Sequence, residues 1–347
     1  MKKLNYLFVT AAMMVAMVFV SCAVDDLPVD PNEPKIHDGD ELATAIAQYT
    51  EVVNGAPVLT LPAGVSVVLN EPVELNAPLL IVGADASAPA QIKVGAEGKF
   101  VTFAGIDIMN AVIDASDMAN PLVTVGVDEP AEWELCPVNF MNVKISGLKK
   151  ALVYAACKKY DAELTVADCN IQVAADVTVF DFTKGSTFRD FEIVNSTIWA
   201  PEATSKSLYS SQGGQKATEL DENAIQSFRF TNSTFYNLTK SKNFFSHRQS
   251  NQKWQAYTVN DCIFVNCGKS GQTIRGLNGG QGGANPIWTV SGNVFNFDDA
   301  DTSADESTGD DGEPVADSQA VVVKFADAAN GDFTQGETLA GDNHWIK

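Results

Sequence analysis

Phe191-Glu192-Ile193-Val194-Asn195-Ser196-Thr197-Ile198 is the stretch that decides the fold. Apolar and other residues alternate over four positions, an Asn follows, and an apolar residue returns at the eighth. The pattern starts again at Val101 (turn residue Gly105), Val138 (Asn142), Leu164 (Asp168), Phe228 (Asn232), Tyr257 (Asp261) and Trp288 (Gly292). Leu79, with Ile81 and Gly83, begins a weaker copy. Successive starts lie 22, 37, 26, 27, 37, 29 and 31 residues apart, a period that marks a solenoid.

Alternation of this length describes a half-buried strand. The fifth position is Gly, Asn or Asp in each good copy. These residues tolerate the left-handed backbone that a sharp bend between two strands requires. A third short strand is expected at Leu122–Val125, Ala151–Ala155, Val177–Phe182, Asn243–Ser246 and Thr273–Arg275. Three short strands and three corners per unit make one coil of an all-β, right-handed parallel β-helix. The competing architecture is an antiparallel β-sandwich. It needs hairpin turns, and the one Asn-Gly, at Asn54, lacks alternating flanks.

Residues 1–21 read as a targeting segment: Lys2 and Lys3 form its charged start, and Leu7 to Val20 form an apolar run short for a membrane span. Phe19-Val20-Ser21-Cys22 resembles the lipobox of bacterial lipoproteins in the Ser-Cys form found in Bacteroidetes. That resemblance implies cleavage before Cys22, a lipid on its sulfur and attachment to the outer membrane. Asp25 and Asp26 are similar to the acidic tag that sends such lipoproteins to the cell surface. The alternative is a plain secretory signal. Residues 22–37, with Pro28, Pro31 and Pro34 among acids, suit an extended tether.

The remaining 38–347 read as one domain: a cap over 38–56, coils over 57–297, an acidic insert over 298–318 and a C-terminal end over 319–347. In the cap, Asp40 is the expected N-cap of a helix with Leu42, Ala45, Ile46 and Tyr49 on one face. Helix, following strand, coil pattern, leader and the closing Gly341-Asp342-Asn343-His344-Trp345 together resemble uncharacterised Bacteroidetes surface lipoproteins of pectin-lyase-like fold. The resemblance covers nearly the whole mature chain and implies a fold without an activity. The closing motif departs from the Gly-Asp-Pro-Arg-Trp form of such tails.

The mature chain carries 21 basic and 44 acidic residues, near −23, which excludes a bulk nucleic-acid binder. The charge is uneven. Val138 to Arg275 holds 16 Lys/Arg against 12 Asp/Glu, whereas 298–313 contributes eight acids. That acidic stretch has two readings, a calcium site or a solvated loop. It lacks the spacing of an EF-hand, so the solvated loop is preferred and no cofactor is expected. Five cysteines remain after Cys22, an odd number for a paired framework. Cys169 and Cys262 hold the coil position of Ser196 and Ser233 and read as small residues stacked inside. Cys136 and Cys157 remain a candidate pair, and no CxxC suggests zinc.

A filled β-helix leaves function to its outer faces and corners. After the third strand come Lys158 and Lys159, then Lys184 and Arg189, then His247, Arg248, Lys253 and Trp254, then Arg275. Long cations beside an aromatic ring suit an acidic polysaccharide, with cations meeting carboxylates and the ring packing on a sugar face. The plainer reading is a solvated basic corner, and Lys149, Lys150, Lys240 and Lys242 show a second one. Catalytic signals are weak. Neither an Arg-x-Pro-x-x-Arg stretch nor a Gly-His-Gly segment occurs, and His37, His247 and His344 stand apart in sequence. Lys253 as base with Arg248 is the candidate pair for a polysaccharide lyase. The expected function is therefore non-catalytic glycan binding or display at the cell surface. A lyase and a purely structural or adhesive protein are the alternatives.

Overall fold

The computed structural model describes residues 36–128, 130–183, 187–211, 226–239, 244–247, 255–267, 287–296, 319–320, 323–336 and 340–345. They are mostly strand, arranged in large parallel sheets. Three ladders recur along the chain. The first pairs Ala56–Leu61 with Leu79–Gly83, then the first half of Ile106–Asp114, the first half of Val138–Leu148, Tyr160–Ala167, Thr187–Val194, Gln226–Thr231, Gln255–Asn260 and Ile287–Ser291. The second runs from Ser66–Leu69 through Ala90–Val94 and the later halves of those two long strands. It continues through Asn170–Val173, Thr197–Trp199, Thr234–Tyr236, Ile263–Val265 and Val294–Asn296 to Gln319–Ala320. The third stacks Pro72–Leu75, Lys99–Thr102, Val123–Val125, Val153–Ala155, Phe180–Phe182, Tyr209–Ser211 and Phe245–His247.

Register follows the sequence pattern with one correction. Leu79, Val138, Leu164, Phe191, Phe228, Tyr257 and Trp288 share one row, but Ile106 takes the place expected for Val101. Val101 belongs to the third ladder. The expectation fails because Ile106-Asp107-Ile108-Met109-Asn110 fits the pattern equally well and follows at once. Gly105 does bend, with φ +121°, but at the corner leading into the first ladder. The third strands expected from 122, 151 and 177 are present in shortened form, that over Asn243–Ser246 is shifted to Phe245–His247, Thr273–Arg275 lies outside the described residues, and Tyr209–Ser211 is a further strand that the pattern does not predict.

Between first and second ladders the chain turns at Asn110, Asn142, Asp168, Asn195, Asn232, Asp261 and Gly292, all with φ between 47° and 67°. These residues stand in a column. Asn142 Nδ2 donates to Asn110 Oδ1 at 2.8 Å, and Asn195 Nδ2 donates to Asp168 Oδ1. The backbone N–H of Asn195, Asn232 and Asp261 each donates to a carbonyl of the next unit. Asn and Asp thus meet two demands, the left-handed backbone and a hydrogen bond along the column. A second, shorter column follows the second ladder, where Asn266 Nδ2 donates to Asn237 Oδ1 and both residues have positive φ.

The inward side chains of all three ladders meet in one apolar core. Beside the corner column, Cys169, Ser196, Ser233 and Cys262 are stacked and buried as expected. They also carry polar work. Ser196 Oγ and Ser233 Oγ donate to the carbonyls of Val194 and Thr231, and each cysteine sulfur lies within reach of the equivalent carbonyl. No disulfide joins Cys136 and Cys157, so the candidate pair is not formed.

At the N-terminal end the helix α1 (Leu42–Tyr49) buries Leu42 and Ala45 and packs Ile46 and Tyr49 against the core. Its N-cap is Glu41, not Asp40, and no side chain caps it. Asp40 is committed elsewhere: its carbonyl accepts from Val68 N and its carboxylate from His37 N. Residues 38–41 thereby cover the open edge of Ser66–Leu69, with Asp38 and Glu41 accepting from Ser66 and Asn70. The first ladder is closed differently. Asn54-Gly55, which lacks the alternating flanks of a hairpin, does form one, with both residues at positive φ and Glu51–Val53 antiparallel to Ala56–Val58. The turn dipeptide prevailed over its exposed, non-alternating flank. Pro72, unable to donate, begins the first strand of the third ladder.

Candidate functional site

The third ladder brings its strand ends into line. Thr124, Tyr154, Asp181, Ser210 and Ser246 occupy successive positions of one row, about 4.8 Å apart. Their neighbours Val153, Phe180 and Tyr209 are buried, so Tyr154, Asp181 and Ser210 face outward and are partly exposed. The Tyr154 phenol is pushed up by burial and then by the Asp181 charge, so it stays a hydroxyl donor. Asp181 Oδ1 accepts from Thr183 N at 3.0 Å, which starts the chain turning away from the ladder.

Of the cations assigned to the edge after this ladder, Lys158 is exposed, and Lys159 reaches the carbonyl of Ala131 with its Nζ at 3.1 Å. His247 closes the strand Phe245–His247. Lys184, Arg248, Lys253, Trp254 and Arg275 lie outside the described residues, as do Cys22 and the acidic stretch 298–313. Arg189 departs from the expected corner. It lies within Thr187–Val194 of the first ladder, and its Nη2 is paired with Asp161 Oδ2.

That pair belongs to a charged strip on the outer face of the first ladder. Asn139 Nδ2 donates to Asp107 Oδ1 at 2.5 Å, and Arg229 reaches Glu192 at 3.3 Å and Asp190 at 3.4 Å. Asp107 and Asp161 are each 2% exposed. Burial pushes both up to about 6, against the Asn139 hydrogen bond in one case and the Arg189 charge in the other. Glu163 is raised by burial and by Asp190. Asp161 Oδ1 and Arg189 Nε are buried with no hydrogen-bond partner among the described residues. The strip is chiefly a set of ties between units. Among the described residues, no group of three or more His, Cys, Asp or Glu is placed to hold a metal ion.

His344, isolated in sequence, is not isolated in space. Its Nδ1 lies 2.6 Å from Oδ1 of the buried Asp342. The remaining Asp342 oxygen accepts from Thr197 Oγ1 at 2.7 Å, and Trp345 Nε1 donates to that same hydroxyl at 2.8 Å. Thr197 Oγ1 is thus held in place by two partners, so the arrangement serves docking and not nucleophilic attack. The Asp-x-His spacing was the sequence signal for this contact, although Thr197 stands 145 positions from Asp342. No protein-family model matches the chain, and neither a curated protein nor a solved structure does.

Proposed function

We propose that the chain is a right-handed parallel β-helix, tethered at the outer face of an outer membrane through a lipid on Cys22. In this reading it binds acidic glycan along the edge where the third ladder ends and performs no chemistry on it. The constant register of three ladders around one core, with a left-handed corner column, supports the β-helix. The Ser21-Cys22 lipobox and the acids after it support the anchor. One observation carries the binding reading. Asp181, Ser210 and Ser246 are stacked in register, so strands separated by up to 65 positions end on a common edge. In the sequence Lys184 follows the first of these strands, and Arg248, Lys253 and Trp254 follow the last. Outward Tyr154, with its hydroxyl, offers a ring to the sugar face on the same ladder.

The test is electrophoresis of the mature protein in a gel containing an acidic polysaccharide such as polygalacturonate, beside a neutral one. The acidic gel retards it, and substituting Lys158, Arg248 and Lys253 together by Ala removes the retardation. Unsaturated sugar ends that absorb in the ultraviolet, and that vanish in Lys253→Ala, would replace binding with a lyase. Unchanged mobility across a broad glycan panel would leave a structural or adhesive surface protein.

A further inference from the structure

We propose that residues 323–336 and 340–345 form a detachable strap, latched by Asp342, over an apolar strip of the second ladder. The outward side chains of that ladder change character along the chain. They include Lys93, Lys144, Asn170 and Gln172 in earlier units, then Trp199, Tyr236, Ile263 and Val265. The strap lies where they turn apolar. Phe333 meets Trp199 at 5.7 Å and Tyr236 at 5.5 Å, Phe325 meets Tyr236 at 6.2 Å, and Val323 and Ala340 pack with Ile263, Val265 and Val294.

Attachment is lateral. Among the described residues the strap pairs strands only with itself, Phe325–Asp327 against Asp332–Gln335. Lifting it therefore breaks no ladder. Its ties climb through three successive units: Gly341 N to Asp261 O, Asp342 N to Thr234 Oγ1, Asp342 Oδ2 from Thr197 Oγ1, and Asn343 N to Asn195 Oδ1. The Asp342 carboxylate concentrates these ties, since it also accepts from His344 N at 3.0 Å. Gly341 allows the close approach. It has φ +91°, and a Cβ there would meet Thr234 Oγ1 at 2.5 Å.

The latch is sensitive to pH. Burial raises the Asp342 carboxyl in the docked strap above its ordinary value, so docking is favoured where the group is protonated and weakens as pH rises through the raised value. The other titratable groups near it include His344, the Cys169 thiol, which feels its charge, and the corner carboxylates Asp168 and Asp261. Release would uncover Trp199 and Tyr236 while the ladders stay intact.

Amide hydrogen exchange on the full mature chain tests this, with rates corrected for intrinsic pH dependence. In Asp342→Ala and in Gly341→Val, amides of 325–335 exchange about tenfold faster or more, while those of Phe191–Val194 and Phe228–Thr231 keep wild-type rates. Asp342→Asn retains wild-type protection and loses the pH dependence. If strap and ladder amides accelerate together in the Ala and Val variants, or if either variant no longer folds, the strap is an integral part of the stack and the proposal fails.

Discussion

The units before residue 174 and those after residue 179 share one backbone register and fill it in opposite ways. Of the eleven largest fully buried side chains among the described residues, only Phe100 and Phe140 belong to the earlier region. The rest of its interior is mostly Leu, Ile, Val and Ala. In the later region Phe228 stacks on Tyr257 at 4.7 Å, Phe235 stacks on Phe264 at 5.1 Å, and Phe191 makes edge contacts with Phe180 and Phe230. The position beside the corner changes in parallel. Ala111 and Val143 hold it early, whereas Ser196, Ser233, Cys262 and Asn293 hold it late and hydrogen-bond to carbonyls. An aliphatic interior is set by volume and area. An aromatic one with a polar column also depends on ring orientation and on particular donors, so single substitutions should harm it more.

The sharpest way to break this contrast is a matched pair of truncations. Phe228→Ala removes a ring stacked on Tyr257 and edge-on to Tyr209, and should cost ~4 kcal/mol, with lost protection reaching the units on both sides. Ile108→Ala, in the same ladder of the earlier region, should cost ~3 kcal/mol with a more local effect. Urea unfolding read together with site-resolved hydrogen exchange compares them. A larger or farther-reaching loss for Ile108→Ala would mean that ring geometry adds nothing to area.

Sensitivity to rising pH runs the other way along the ladders, because among the described residues the two carboxylates buried on a ladder's outer face, Asp107 and Asp161, lie in the earlier region. The folded value of Asp107 stands near 6 against 3.8 for the free group. Its neutral form is therefore favoured by folding. The stabilisation is full below the free value and is lost as pH rises through about 6. The loss is on the order of 2–3 kcal/mol. Exchange protection around Ile106–Met109 should fall between about pH 4 and pH 6, level off above that, and become flat throughout in Asp107→Asn. Protection that rises with pH would contradict the burial argument.

The corner column joins the two regions and was the most legible feature of the sequence, because φ > 0 restricts residue choice more than any packing constraint does. Two adjacent five-residue windows, starting at Val101 and at Ile106, satisfy the same pattern. Alternation alone cannot rank them; only the partner strands do. Tyr209–Ser211 escaped because a three-residue strand carries too little periodicity. The latch of Asp342 on Thr197 escaped because it is a long-range contact whose only local trace is Asp-x-His. At Asn195, Ala would have to hold φ 47° without the side chain that donates to Asp168, a loss of ~1–2 kcal/mol. Gly should recover part of it by supplying the backbone conformation alone. Thermal unfolding of the two variants tests this, and an Ala variant as stable as Gly would remove the backbone term.

The smallest effect is expected where the two interiors meet. Cys169 closes the earlier region and Cys262 lies deep in the later one, yet they occupy equivalent positions, and burial pushes both thiols up to about 12. Each sulfur lies near the carbonyl two residues before it, at 3.1 and 3.3 Å, as the Ser196 and Ser233 hydroxyls do at 2.7 and 2.9 Å. Ser in place of either Cys therefore finds its acceptor already in position, and each change should alter stability by less than ~1 kcal/mol. Val143→Ser places the same hydroxyl in an aliphatic setting one unit earlier and loses two buried methyl groups, so it should cost more than either. If Cys169→Ser instead behaves like Val143→Ser, the polar column begins only at Ser196, and the boundary between the two interiors moves one unit along the chain.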